Sequence, residues 1–467
     1  MERLHNLYKK YSGHDVEEMQ PISGSGSARR YFRLSGKAGS VIGVIGTDRR
    51  ENEAFVNLSR AFRSCDCNVP EVYVVSDDGM AYLQQDLGDM SLFSMLSSPE
   101  AEEYVEAVMR TLPDMQLASG ITEEMLYPVT DMTFRHVMND LNYFKYCFLK
   151  AAGVEADEDA LEQDFESLAR AVADTPPELM GLSLRDCQSR NVMIHDGSPW
   201  FIDFQSARRA PLFYDVASFL WQARAGFSAS FRQRMVKTYM EALGRHRCVT
   251  EAAMEESLRT MLWIRTLQVL GAYGLRGLTQ RKAHFVESIP GALDNVRELL
   301  ASGAFPALKE LRRCLDAVAS MERFRRRADD GRLLVSVFSF SYKQGYPEDL
   351  TGNGGGFMFD CRAMHNPGRY ERYRHLTGRD VPVMEFLEER GEVQKFLSNA
   401  LALTEPAVAR YLSRGFSNLQ IGFGCTGGQH RSVYCAEHMA RMLREIFPED
   451  EVAIHLCHRE QNIDLKL

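Results

Sequence analysis

Three oxygen-bearing residues stand close together in the stretch LRDCQSRNVMIHDGSPWFIDFQ: Asp186, Asn191 and Asp203. Mg²⁺ is a hard cation that takes oxygen ligands, commonly one or two side chains with phosphate oxygens completing its shell. A separate carboxylate accepts the proton of an attacking hydroxyl. The spacing supplies both parts. Val192–Ile194 and Trp200–Ile202 are apolar runs, and Asp196-Gly197-Ser198 between them is a turn signal. A hairpin folded about Gly197 brings Asn191 across from Asp203 as a pair of metal ligands. Asp186, in the loop feeding the hairpin, is then the base. That chemistry is phosphoryl transfer to a hydroxyl. The competing reading is three polar residues capping strand ends and turns.

The elements that position these groups are legible on either side. PISGSGSARRYFRL is a glycine/serine loop entering an aromatic strand. In it, Ser23, Gly24, Ser25, Gly26 and Ser27 offer backbone N–H groups and hydroxyls to phosphate oxygens. SVIGVIGT and EVYVVSDDGMAYLQQDLGD read as further strands, with a turn at Asp78-Gly79. RRENEAFVNLSRAFRS has helical spacing, with Ala54, Phe55, Leu58, Ala61 and Phe62 on one face. Residues 98–180 and 215–324 are mostly helical in pattern.

A second phosphate signature lies near the C-terminus. GCTGGQHRS joins a strand, LQIGFG, to a helix in which Val433, Ala436, Ala440, Leu443 and Phe447 recur at helical spacing. A glycine loop at a helix N-terminus presents N–H groups and the positive end of the dipole. Arg431 adds a guanidinium fork, and Thr426 and Ser432 add hydroxyls. The candidate contacts are Cys425, Thr426, Gly427, Gly428, Gln429, His430, Arg431 and Ser432. The spacing C-x2-G-x2-R-S is also that of cysteine-dependent phosphatases, in which the thiolate attacks. Here Gly424 precedes the cysteine, and the evident general-acid candidates, Asp360 and Asp380, sit at strand ends or turns. The loop therefore reads as a cradle. From residue 333 onward the pattern alternates strand and helix, which is α/β logic.

Bulk properties bound the rest. A chain of 467 residues is too long for one core, so two or three domains are expected. RRRADDGR marks a charged connector near 325–332. A formal charge of -9 gives no global pull on nucleic acid or anionic membrane, although Arg325–Arg327 and Arg369–Arg374 are local basic patches. No apolar run reaches membrane-spanning length, and the start MERLHNLYKKYSGHDVEEM has no signal-peptide core. The ten cysteines are scattered, as reduced thiols of a cytoplasmic protein would be.

Two resemblances follow from the motifs. The order RRYFRL, NEAF, NVPEVY, LQQDLGD, RDCQSRNVMI, WFIDFQSAR and YDVASFLW resembles the aminoglycoside-phosphotransferase branch of the protein-kinase-like superfamily, over roughly residues 5–320. More narrowly it resembles the bacterial cell-wall-recycling kinases of N-acetylmuramate and N-acetylglucosamine. This implies an α+β bilobal fold, with a β-rich lobe (about 1–90) and a helical lobe (about 91–324). It implies ATP and Mg²⁺, with ATP held by Ser23–Ser27, Arg30 and a hinge at Gln85, Asp86 and Leu87, and a small sugar acceptor in the helical lobe. Three positions depart from the family pattern. Leu184 stands where a hydrogen-bonding His or Tyr braces the loop. SVIGVIGT has no lysine, so Glu53 lacks its ion-pair partner, a role open to Arg30 or Arg49. Gln205 replaces the glycine of the metal-loop triplet. Next, FSFSYKQGYP, FMFDCRAMHNP, HLTGRD, EVQKFL and IGFGCTGGQHRSVYCAEHMA resemble the C-terminal domain of RapZ-type RNase adapters, over roughly 333–460. That implies a smaller α/β domain (333–467) binding an amino-sugar phosphate, glucosamine-6-phosphate, and contact with RNA or protein. The expectation is a cytoplasmic fusion of sugar kinase and phosphosugar-binding domain. The alternative is a non-catalytic sensor or RNA-binding adapter.

Overall fold

The computed structural model describes residues 2–22, 29–280, 282–303, 305, 307–321, 324, 332–347 and 356–467. The chain divides into two compact units, Met1–Thr279 with Ser288–Arg325, and Gln280–Glu287 with Arg326–Leu467. The glycine/serine loop Ser23–Ser27, the patch Arg325–Arg327, all of the 325–332 connector but Arg332, and most of TGNGGG lie outside the described residues.

The first unit opens with a helix, α1 (Glu2–Ser12), that the charged start conceals. Leu4, Leu7 and Tyr8 share one face and are buried. They cover an antiparallel sheet of five strands, β1 (Glu18–Ile22), β2 (Arg30–Gly36), β3 (Gly39–Ile45), β4 (Val72–Val75) and β5 (Ala81–Gln85), in the order β1-β2-β3-β5-β4. Strand alternation divides the core. Val41 and Leu83 join the α1 cluster, whereas Ile42, Val44 and Tyr82 join the cluster containing α2 (Arg49–Ser64). Phe55 and Phe62 of α2 are buried as the periodicity requires, and Val56 and Asn52 are buried too. Ala61 is only half-buried.

The remainder of this unit is helical: α3 (Ala101–Gln116), α4 (Phe134–Phe144), α5 (Glu158–Ala173), α6 (Phe213–Leu220), α7 (Ala229–Leu243) and α8 (Glu251–Tyr273), then helices Ile289–Ala301 and Lys309–Ala319. Two small antiparallel pairs interrupt the helices. β6 (Met180–Ser183) pairs with β9 (Arg208–Pro211), and β7 (Val192–His195) pairs with β8 (Ser198–Phe201). The β7–β8 turn has φ +48° at Asp196 and +70° at Gly197, the two positive φ values that a tight two-residue hairpin demands.

The second unit is a five-stranded sheet: β10 (Leu333–Ser341), β11 (Gly356–Asp360), β12 (Asn418–Cys425), β13 (Val452–His458) and β14 (Ile463–Lys466). The order is β11-β12-β10-β13-β14, parallel except for β14. Helices Val381–Glu388, Glu392–Ser413 and Arg431–Ile446 accompany it. The α/β expectation holds for this unit. Among the described residues no helix is long and apolar enough to cross a membrane.

Candidate active site

The hairpin forms about Gly197, but its register is one residue from the one expected. Val192 pairs with Phe201, and the Ile202 N–H donates to the Asn191 carbonyl at 3.0 Å. Asn191 therefore faces Ile202. Asp203 is the next residue, with φ +62°, a left-handed conformation that costs energy outside glycine. The Asn191 amide donates from Nδ2 to the Asp186 carbonyl at 2.8 Å, leaving its Oδ1 available as an oxygen ligand. One hydrogen bond thus ties a metal-ligand candidate to the backbone of the base candidate. The Asp186 side chain is 42% exposed, open enough to meet a substrate.

The loop before the hairpin is held from below. Asp215, fully buried on α6, accepts from the backbone N–H of Leu184 (2.9 Å) and Arg185 (3.1 Å), from Ser183 Oγ (2.8 Å) and from Gln116 Nε2 (3.0 Å). These bonds hold Arg185 at φ +67°. Leu184 turns into the core, 4% exposed, so the brace comes from a carboxylate beneath the loop and a side-chain donor at position 184 is dispensable. Burial pushes the Asp215 carboxyl up to about 6 against the pull of its four donors.

A basic residue does bridge these elements, and it is neither Arg30 nor Arg49. Arg29 is 5% exposed; its Nη2 donates to Asp203 Oδ1 at 2.7 Å, and its Nε lies 3.5 Å from Glu51 Oε1 on α2. It links α2 to the loop that carries Asp203. Arg30 is exposed. Arg49 pairs with Glu53 at 2.6 Å on the surface, so Glu53 has a partner after all. Gln205 donates to the same Asp203 oxygen at 3.1 Å, and Phe204 stacks on Phe55 of α2 at 4.8 Å. The loop is therefore packed and bonded from both sides.

The expected hinge is only partly available. Asp86 spends both carboxylate oxygens on Arg33 (2.7 and 3.1 Å), with Ser40 and the Gly88 N–H also donating. Leu87 is 6% exposed. Both side chains are thus engaged within the chain. Gln85 also bonds the chain, Glu71 accepting from its N–H and donating to its Oε1.

In the second unit, the GCTGGQHRS loop lies between the end of β12 and helix Arg431–Ile446. Thr426 and Gly427 are exposed. Cys425 is 3% exposed with Ser432 Oγ 3.1 Å from its sulfur. Burial opposes ionisation of the thiol. The Ser432 hydroxyl, the N–H groups of Ser432 and Gly427, and Arg431 outweigh that and hold it below the usual value. A loop that favours a buried thiolate favours anions. His430 and Arg431 are largely engaged by the chain, although the Arg431 Nε has no partner. His430 bonds the Tyr373 carbonyl at 2.8 Å, and Arg431 Nη1 donates to the carbonyls of Arg362 and Met364 at 2.9 Å each. Both are buried and anchor the loop that follows β11. Gln429 does likewise through Arg374 and Leu376. Asp360 pairs with Arg362, which holds its carboxyl below the usual range, and Asp380 accepts from Thr377. Both carboxylates are thus engaged within the chain. Gly428 has φ +66°, and a Cβ there would come within 2.4 Å of Glu460 Oε2. Gly428→Ala is expected to cost about 1–3 kcal/mol through left-handed strain and the clash, read as a lower urea midpoint for the second unit's transition.

Residues 18–249 match the family described as Phosphotransferase enzyme family, and residues 333–462 match the RapZ C-terminal domain. The chain pairs a phosphotransferase-family domain with a RapZ C-terminal domain. Among curated relatives, a nucleotide-binding protein of Xanthomonas axonopodis pv. citri is 40% identical over 132 residues, 28% of this chain and 44% of that protein. A nucleotide-binding protein of Cereibacter sphaeroides is 41% identical over 130 residues, 28% and 41% of the two chains. The chain thus spans less than half the length of these relatives. Among solved structures, amicoumacin kinase hAmiN is similar with TM-score 0.47 and 10% identity, over 66% of this chain and 90% of that one. Choline kinase from Cryptosporidium parvum gives TM-score 0.47 and 12% identity, over 68% and 99%. The phosphotransferase domain has the β-rich and helical parts of the kinase-like fold, and the RapZ-type domain is the smaller α/β body expected.

Proposed function

We propose that the chain is a cytoplasmic ATP- and Mg²⁺-dependent kinase of a small amino sugar of the N-acetylmuramate or N-acetylglucosamine type, with a second domain that binds a phosphosugar. The kinase domain spans 1–324, a linker 325–332, and the phosphosugar domain 333–467. The observation that carries this reading is the Asn191 Nδ2–Asp186 carbonyl bond, which joins base and metal ligand on a loop anchored by Asp215. Asn191 Oδ1 and the Asp203 carboxylate would supply oxygen donors, the type Mg²⁺ prefers. When bound, that ion would neutralise charge on the transferring phosphate. Arg29 fixes Asp203 Oδ1, and Asp186 takes the hydroxyl proton as the acceptor oxygen bonds to the γ-phosphorus and the bond to ADP breaks. The glycine/serine loop would cover the phosphates, and the backbone at Asp86 and Leu87, rather than their side chains, would meet the base.

In the second domain the exposed Thr426 and Gly427 would meet the phosphate, helped by the helix N-terminus. Glu460, pressed against Gly428 with its Oε2 unpartnered, would suit an amine on the same ligand. Binding there would report phosphosugar levels to the kinase. A sensor without turnover is the alternative, favoured by the absence of a lysine on β3. An ATP-coupled assay of the full chain with both sugars separates the two, since a sensor binds ATP and releases no ADP.

A further inference from the structure

The acceptor side of Asp186 carries more positive charge than a proton acceptor needs. Arg265, in the middle of α8, is 6% exposed. Its Nε donates to Ser218 Oγ at 3.1 Å, its Nη1 reaches Gln268 and, at 3.5 Å, the Tyr214 hydroxyl, and its Nη2 lies 3.6 Å from Asp186 Oδ1. The protein itself occupies this arginine. Arg208, at the start of β9, is different: it is 8% exposed and its Nε has no hydrogen-bond partner. Leaving a buried guanidinium donor unpaired is costly. Arg208 pairs across the β6–β9 ladder with Ser183, three residues before Asp186, and Asp186, Asp140, Tyr214 and Arg185 lie in its field. Arg185, immediately before the base, is the third guanidinium, on a backbone that Asp215 holds in a left-handed turn.

The acids near this group are Asp186 itself, Asp140 of α4 and Asp215 beneath the loop. Burial pushes the Asp140 carboxyl up, with Arg185, Arg208, Arg265 and His136 opposing. The three guanidiniums therefore sit with Asp186, Asp140 and the Asp215 carboxylate beneath the loop, and burial biases Asp140 and Asp215 toward their neutral forms. Tyr214 and Tyr273 also lie in the field of Arg265 and add aromatic surface. An aminoglycoside-like polycation would be repelled here. A neutral sugar could offer that donor only a hydroxyl or amide oxygen and would leave the guanidinium charge uncompensated. An anionic group would satisfy it, because guanidinium–oxyanion bonds are among the strongest polar contacts a buried site can make.

We propose that the acceptor is a sugar bearing an anionic group, carboxylate or phosphate, held by Arg208 and Arg185 while Arg265 keeps Asp186 aimed at the reacting hydroxyl. This rests on the sugar-kinase reading and selects within it. The test is kcat/KM of the full chain with N-acetylmuramate, N-acetylglucosamine 6-phosphate and N-acetylglucosamine. At least one anionic sugar should be preferred over the neutral one by about tenfold or more. If the carboxylate is the group recognised, methyl-esterified N-acetylmuramate should lose that advantage with the unaltered protein. Arg208→Met should collapse the preference, and Arg208→Lys should restore part of it. Equal or better use of the neutral sugar, or a preference unmoved in Arg208→Met, overturns the inference and leaves the sugar kinase standing. No product from any of the three sugars removes the sugar-kinase reading, and this inference with it.

Discussion

Asp186→Asn should reduce sugar phosphorylation by roughly 10²–10⁴-fold, the range for loss of a positioned general base. The change is nearly isosteric, and the structure indicates why the fold should survive it. The bond that positions Asn191 runs to the Asp186 backbone carbonyl, which the substitution leaves in place. The carboxylate's 3.6 Å ion pair with Arg265 disappears, but Arg265 keeps Ser218, Gln268 and Tyr214. ATP affinity, measured by titration calorimetry, should stay within about threefold, since the effect falls on the chemical step. Weakened ATP binding alongside the reduced rate would mean that Asp186 supports the nucleotide site and is not the base.

The second large effect is expected at Asp215, which touches no reactant. Asp215→Ala leaves the Leu184 N–H and the Ser183 hydroxyl without their acceptor in the core, while the Arg185 N–H keeps Ser183 Oγ and the Gln116 amide keeps the Leu212 carbonyl. Each buried orphan costs about 1–3 kcal/mol, and removing a buried charged acceptor typically about 3–5 kcal/mol in all. That is a large share of the stability of an ordinary domain. The urea midpoint should fall sharply, and activity should fall with it because Arg185 and Asp186 lose their anchor. The pH dependence has a definite sign. The Asp215 carboxyl sits at about 6 in the fold against 3.8 for the ordinary group, burial being the cause. Between those values the folded chain keeps a proton that the unfolded chain has released. Asp215 therefore lowers stability as pH rises from 3.8 to about 6, and contributes no further change above that. Asp215→Asn should remove this downward component from the stability–pH curve. A curve of unchanged shape would show that the carboxyl ionises as freely in the fold as out of it.

The parts of the site legible in the sequence are those encoded locally. Two apolar triplets around Asp196-Gly197 specify a hairpin because strand period and turn chemistry act over neighbouring residues. The register escaped by one residue, since alternation alone does not say which pair is first to bond. The groups that support the site are long-range and left weaker signals. Arg29 and Asp203 are 174 residues apart in the chain, and a basic residue beside a glycine loop looks like any other. Arg265 did leave a trace: it is a lone charge in the apolar helical run MLWIRTLQVL, and such a charge is rarely buried without a partner. Asp215 sat inside YDVASFLW, where its role depends on a loop thirty residues upstream.

The same division explains the elements that were missed. The polar start hides α1 because its apolar positions, Leu4, Leu7 and Tyr8, are few, though helically spaced. VAIHLCH alternates buried and half-buried along β13, a period-two signal obscured by two histidines and a cysteine. In the second domain the glycine loop was legible and the orientation of its two basic residues was not. His430 and Arg431 look like anion contacts by type, yet they serve carbonyls of a loop some sixty residues earlier in the chain.

The most direct test of the phosphotransferase account is the product itself. The full chain, incubated with ATP, Mg²⁺ and N-acetylmuramate or N-acetylglucosamine, should yield a sugar phosphate detectable by ³¹P NMR, with ADP formed in equal amount, and Asp186→Asn should yield none on the same timescale. ATP left intact with every amino sugar, or the same product formed at the same rate by Asp186→Asn, would contradict it.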